Sequence, residues 1–194
     1  MVPPMSISRV LTWQVTESTG YETAWAEVDG ESLRARGRAV GTVPDPYWIS
    51  YTLETGDGFV TRVLRVSSED ALGARELELV RDGAGRWSAD GAALPALDGA
   101  LDCDLGLCPL TNTMPVLRHG LHRSAARGER RFLMAWVSVP DLTVHASPQR
   151  YAPLPRTVHG ARVRFTSGDF QRDVTFDGDG FVVDYPGLAH RLTR

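Results

Sequence analysis

Turn signals interrupt this chain at roughly 8–12 residue intervals, and most of what lies between them alternates with a period of two. Tyr47, Ile49, Tyr51 and Leu53 fall on one side of an extended segment, and Trp48, Ser50 and Thr52 on the other. Successive side chains of a strand point to opposite faces, so a segment like this buries one face and wets the other. Strands are read in the same way over Ile7–Thr16, Tyr21–Val28, Leu33–Thr42, Tyr47–Glu54, Phe59–Ser67, Arg75–Asp82 and Arg86–Ala89. In the second half they cover Arg131–Val139, Leu142–His145, Val158–Phe165, Phe170–Asp177 and Phe181–Tyr185. Asp29-Gly30, Gly56-Asp57-Gly58, Gly83-Ala84-Gly85 and Gly178-Asp179-Gly180 supply turns, because glycine accepts the positive φ that tight turns demand. Pro44-Asp45-Pro46 and Pro140-Asp141 end strands, since proline cannot donate to a ladder. Only Val116–Ala126 carries a short helical pattern, read as loop or a single turn. The fold class is all-β.

An antiparallel sheet of ten to twelve strands cannot stay flat, because strand twist accumulates across it. The expectation is one strongly curved antiparallel sheet that forms a partly closed barrel, a single β domain over residues 1–194. A barrel wider than about eight strands encloses space unless something fills it, and no long helix is legible to serve as a plug. An apolar cavity is expected. The chain is long enough to bury a real core, and all-β domains of about 200 residues commonly form one unit.

Between the two strand-rich halves lies a segment with neither period: Asp98 to Pro115, which holds both cysteines, three acids, two prolines and Thr111-Asn112-Thr113. A weak internal repeat frames it. Gly58–Val66 resembles Ser167–Phe176 in pattern, and each is followed by an Asp-Gly-x-Gly turn, Asp82–Gly85 and Asp177–Gly180. If the repeat is a duplication, half-sheets of about 7–97 and 116–194 are joined by a seam over 98–115.

Charge narrows the partners. A formal net charge of -3 and a pI near 5.9 argue against a nucleic-acid binder, which normally presents a basic face. All 21 basic residues are arginine, which coding bias explains more simply than phosphate recognition. Met1–Val10 lacks the basic start and apolar stretch of a signal peptide, and no apolar run approaches the 18 or so residues of a membrane span. A cytoplasmic location is therefore expected, with Cys103 and Cys108 as free thiols.

At the seam the residues become specific. Leu97-Asp98-Gly99, Asp102-Cys103-Asp104-Leu105-Gly106 and Pro109 through Pro115 resemble the hallmark of a bacterial family named for glycolipid binding. Trp13, Gly20 and Glu22 resemble its opening. Trp136 through Leu142 with Gln149-Arg150-Tyr151 resemble its second-half strand pair, and Asp177 through Leu188 its C-terminal end. The resemblance implies a fold similar to bacterial carriers of lipoproteins and glycolipids, a curved antiparallel sheet around an apolar cavity. Where the family pattern favours paired arginines this chain has Leu117-Arg118, so only Arg118 carries over. The carriers have export signals, and none is read here.

Several residues are candidates for head-group contact. Asp102 and Asp104, two apart, project to one side of an extended piece. They could bind sugar hydroxyls or divide acid and base roles, or, with Asp98, cap backbone donors in a loop. Thr111, Asn112 and Thr113 offer donors and acceptors to a sugar or ester head group, or to orphan backbone groups of an irregular crossing. Glu22 shares a strand face with Ala24 and Ala26. If that face is interior it needs a partner, for which Arg62, Arg118 and Arg172 are candidates. Trp25, Trp48, Trp136, Tyr47, Tyr51, Phe132 and Met134 read as core, with a second role in lining an acyl-chain pocket. Gln149, Tyr151 and Tyr185 place polar tips at its rim.

Metal and cofactor chemistry have little support. His119 and His122 lack a credible third ligand among neighbouring arginines that include Arg123, Arg127, Arg130 and Arg131. Ser138 and Ser147 lack a nucleophile elbow, and His145, His159 and His190 have no acid partner by spacing. The leading expectation is a non-enzymatic binder of an amphiphile such as a glycolipid, with no cofactor. The alternatives are an enzyme on a glycolipid or ester using Asp102 or Asp104, and a β domain that forms a homodimer through an open edge.

Overall fold

The computed structural model describes residues 6–43, 45–123 and 128–193 of the chain. Pro44, Arg127, the end of the Val116–Ala126 stretch and the first half of Met1–Val10 lie outside the described residues. The strands are β1 Ile7–Val15, β2 Gly20–Asp29, β3 Ser32–Gly41, β4 Tyr47–Thr55, β5 Thr61–Asp70, β6 Gly73–Arg81, β7 Trp87–Ala89 and β8 Ala92–Ala93. They continue as β9 Asp102–Leu105, β10 Arg130–Val137, β11 Val144–Thr157, β12 Gly160–Ser167, β13 Phe170–Phe176, β14 Val182–Tyr185 and β15 Ala189–Arg191. One helix, α1 Thr113–Arg118, follows a 3₁₀ turn over Pro109–Asn112.

All fifteen strands belong to one sheet, ordered β8-β7-β6-β5-β4-β3-β2-β1-β15-β14-β13-β12-β11-β10-β9. Every neighbouring pair is antiparallel except β9 and β10, where Met134 stands beside Asp102 and Val137 beside Leu105. The two halves of the chain therefore meet at β1 and β15, through Trp13 with Arg191 and Val15 with Ala189. Among the described residues no ladder joins the far edges. Instead the chain just before β9 bridges them: the Thr61 amide donates to Leu101 O, and Arg81 Nε and Trp87 Nε1 both donate to Ala100 O. The sheet is strongly curved and stays open as a hydrogen-bonded cylinder.

Strand alternation sets the interior. Along β4, Tyr47, Ile49, Tyr51 and Leu53 are buried while Trp48, Thr52 and Glu54 are exposed. Along β3 the inward residues are Leu33, Ala35, Gly37, Ala39 and Gly41, and the outward ones Arg34, Arg36, Arg38 and Val40. Small inward residues leave room for the neighbouring strand's aromatics to lie across them. A Cβ on Gly37 would stand 2.3–2.4 Å from the outer ring atoms and hydroxyl of Tyr51, its cross-strand partner, so only glycine admits that ring. Trp13, fully buried, fixes the β1–β14 approach by donating from Nε1 to Val182 O at 2.9 Å.

Five expectations are corrected. Among the described residues the strands number fifteen rather than ten to twelve, because β8, β9 and β15 have only 2, 4 and 3 residues and carry no visible alternation. The single turn read within Val116–Ala126 is a short helix that begins three residues earlier, Thr113–Arg118. It is also a plug: Pro109 through Val116 are all buried, so the seam enters the curved sheet and fills part of the space expected to be hollow. β11 runs for 14 residues where only Leu142–His145 was read, and it holds Pro148, Pro153 and Pro155. Pro148 pairs with Leu133 and Pro153 with Val163, with a register shift between Leu154 and Thr157. Trp25 and Trp48, read as core, stand on the outer face, because their strand neighbours Ala24 and Ile49 take the inward positions.

Candidate functional site

A cavity of about 520 Å³ opens at one end of the curved sheet, the end that carries the turns after β1, β10, β12 and β14. Its apolar wall comes from Trp136, Phe165, Phe170, Tyr185 and Leu188. Its polar lining includes Asp104, Asn112 and Gln149, with Ser147 and Ser167 facing one another at 3.3 Å. Parallel pairing of β9 with β10 sets Asp104 opposite Trp136. The β10–β11 and β11–β12 registers align Phe132, Gln149 and Ser167 across three strands.

The polar side of the cavity is one connected chain. Asn112 Nδ2 donates to Tyr151 Oη at 3.2 Å, and Tyr151 Oη donates to Gln149 Oε1 at 3.3 Å. Gln149 Nε2 donates to Asp104 Oδ2 at 2.6 Å, and Thr111 Oγ1 lies 3.1 Å from Asp104 Oδ1. The network ends on an acceptor, which suits a carboxylate. Burial nevertheless pushes the Asp104 carboxyl up, against the pull of Gln149 and Thr111. A ligand hydroxyl entering the cavity would meet a carboxylate short of water, where a charge-assisted hydrogen bond is strong.

Asp102, two residues earlier, does different work. Its two oxygens take a bidentate contact from Arg118, with Nη1 to Oδ2 at 2.8 Å and Nη2 to Oδ1. The same guanidinium donates from Nε to Gly58 O at 2.6 Å and from Nη2 to Phe59 O at 2.9 Å. Phe59 has φ 58°, a left-handed conformation costly for a non-glycine residue, so Arg118 fastens a strained turn to the core. Burial raises the Asp102 carboxyl, opposed by Arg118. Asp102 and Asp104 thus project into one interior but not into one site. Arg118 lines a second cavity of about 870 Å³, near His119, Arg130, Glu31 and Asp179, while Asp104 and Asn112 line the first.

Glu22 is wholly buried on the inner face of β2, and among the described residues no arginine partners it. Tyr51 Oη donates to Oε1 at 2.5 Å and the Leu110 amide to Oε2 at 3.5 Å. Arg118 is spent on Asp102, and Arg172 donates to Pro186 O and Gln171 O. Burial without a cation pushes Glu22 up to about 8. Cys108 and Cys103 lie in the same interior as reduced thiols, and burial lifts Cys103 to about 12.

The remaining candidates are placed as follows. Thr111 Oγ1 also serves the seam, accepting from the Leu105 amide at 3.1 Å and lying 3.0 Å from Cys108 O, with its one proton shared between Cys108 O and Asp104. Thr113 is buried with an unpartnered hydroxyl. Gln149, Tyr151 and Tyr185 are buried deeper than a rim; Gln149 and Tyr185 face the cavity. Trp136 lines the cavity and stacks on His145 with ring centroids 5.9 Å apart. His145 Nε2 lies 3.0 Å from Thr143 Oγ1, and both Thr143 and Ser138 donate to Asp141, so this set ties down the 138–143 turn. Among the described residues no three His, Cys, Asp or Glu side chains gather as a metal group. Phe165, Phe170, Leu188 and Ser167 were not singled out from sequence, and Ser147 was weighed only as a nucleophile. Phe165 and Phe170 straddle the Gly168-Asp169 turn, which was their only signal.

Known proteins agree with this architecture. A family model described as "Putative glycolipid-binding" matches residues 10–191. A crystal structure of a DUF1089 family protein from Pseudomonas aeruginosa superposes with a TM-score of 0.73 at 30% identity, over 88% of this chain and 92% of that one. No curated protein matches. With the family model spanning nearly the whole chain, the protein belongs to the family described as "Putative glycolipid-binding".

Proposed function

We propose that the protein binds an amphiphile, seating an apolar tail against Trp136, Phe165, Phe170 and Leu188 and a hydroxylated head group against Asp104, Gln149 and Asn112. The observation that carries this reading is the junction of an aromatic wall with a connected, carboxylate-terminated polar network in one cavity of about 520 Å³. That volume falls in the range of about 300–1,000 Å³ usual for small-molecule sites. The family's description supports the class of ligand. Asp102, Arg118 and Thr111 are assigned to holding the seam, and Thr113 and Glu22 to the core, rather than to the ligand.

Native mass spectrometry after gentle purification tests the reading. The wild-type protein is expected to carry an adduct of lipid mass, and Ser167→Trp, which fills the cavity from β12, to lose it. An adduct equally abundant in both would place the lipid elsewhere and end this assignment.

A further inference from the structure

Large exposed apolar side chains are not spread evenly over this molecule. Five of them share the end on which the 520 Å³ cavity opens: Tyr21 at 49% exposure, Val40 at 46%, Val43 at 50%, Trp48 at 54% and Leu72 at 87%. The antiparallel order places them there. β2 begins, β3 ends and β4 begins at this end, so Tyr21, Val40 and Trp48 stand side by side in one cross-strand row. Val43 lies in the turn after β3, and Leu72 in the turn between β5 and β6. The turn after β1 belongs to the same end: its Glu17 lines the cavity, and its Ser18 O accepts from the Thr42 amide at 2.8 Å.

Behind this apolar row comes a cationic one. Arg38 and Arg36 lie two and four residues back along β3 from Val40, about 7 and 13 Å along the strand. Their cross-strand neighbours are Thr23, Ser50, Trp25 and Thr52, none of them acidic, and neither arginine forms an ion pair among the described residues. Arg36 lies over the Trp25 ring at 5.4 Å. Arg34 by contrast stands between Glu27 and Glu54.

We infer that this end docks on an anionic lipid bilayer, with the cavity mouth at the membrane surface. Leu72, Val43 and Trp48 enter the head-group boundary, Tyr21 sits with its hydroxyl among the head groups, and Arg38 and Arg36 meet lipid phosphates. The order apolar tip, amphipathic aromatic, arginine follows the depth profile of a bilayer interface. Asp45 and Glu69 lie beside the apolar row and resist dehydration, so docking stays at head-group depth. A second copy fits less well: Leu72 and Val43 lie in separate turns, and the row behind them is cationic on every copy. The inference deepens the amphiphile reading, and rests on it only for what the docked protein exchanges.

Flotation with phosphatidylcholine vesicles, with and without phosphatidylglycerol, tests the proposal on the full chain. The wild type is expected to float with the anionic vesicles. Combining Trp48→Ser with Leu72→Ser should lower the partition coefficient about tenfold or more. Arg36→Ser and Arg38→Ser should each cost about fivefold on anionic vesicles and little on neutral ones. Val158→Ser, on the turn at the opposite end and 97% exposed, should change nothing. A wild type that stays with the protein fraction, or Val158→Ser as damaging as the apolar pair, overturns the docking proposal. So does a concentration-dependent dimer that Trp48→Ser abolishes without any vesicle binding. Ser167→Trp keeps the two ideas apart: if it floats like wild type while cavity lipid proves absent from both, docking stands and the amphiphile reading falls.

Discussion

Glu22→Gln makes the sharpest test of how the interior is held. In the native protein this carboxyl has no cation beside it among the described residues, accepts one short bond from Tyr51, and is pushed up to about 8. In the unfolded chain it titrates near 4.5. Between those values the folded state keeps a proton that the unfolded state has released, so stability falls as pH rises. The slope is about 1.4 kcal/mol per pH unit, and the whole window from 4.5 to about 8 amounts to roughly 5 kcal/mol. That is a large share of the 5–15 kcal/mol or so that holds a typical domain together. Glutamine keeps the shape and an acceptor without a proton to lose. Urea unfolding of both proteins across this window should show the wild type losing stability toward alkaline pH relative to the variant. Other groups cancel in the difference: His119 and His122, lowered mainly by burial, lose stability toward acid in both proteins. Parallel pH profiles would refute the argument, and would mean that water or a cation reaches Glu22.

Other outcomes follow from the same interior. Arg118→Met strips Asp102 of its bidentate partner and frees Gly58 O and Phe59 O, and should cost about 3–5 kcal/mol by thermal or chemical unfolding. Adding Asp102→Asn should recover part of that loss. Gly37→Ala drives a methyl into the Tyr51 ring and parts Tyr51 from Glu22, for a loss of about 2–5 kcal/mol. The same substitution at Gly30, where no atom lies within 4 Å of the new Cβ, meets only the strain of its φ of 58°. Cys103 and Cys108, buried with raised pKa values, should resist a thiol reagent in the native protein and react only as fast as it opens.

Much of the sheet was legible because alternation is a local signal. Tyr47 through Leu53 declare their inner and outer faces unaided, and so do Leu33 through Gly41. The seam was not, and the reason is physical. Pro109 through Val116 are buried on every side, and a segment wrapped all round by protein has no amphipathic stripe to reveal its helix or destination. β11 hid behind its prolines, which count against a strand until the register shows Pro148 and Pro153 seated in it. Glu22 shared a strand face with Ala24 and Ala26 and so called for a partner if that face turned inward, but the partner lies on β4, 29 residues away, across the notch at Gly37. Only the folded register makes that pair. Asp102 and Asp104 show the same limit. Their spacing predicts a shared side, whereas the guanidinium of Arg118 claims one and the cavity network the other.

The central claim is that the cavity ending on Asp104 and Gln149 holds an amphiphile, and a crystal structure grown with a single-chain glycolipid tests it most directly. The account predicts an acyl chain along Trp136, Phe165 and Phe170, and a head-group hydroxyl within hydrogen-bonding distance of Asp104 or Gln149. A saturated crystal whose cavity holds only ordered water, or a glycolipid seated in the Arg118 cavity instead, would contradict it.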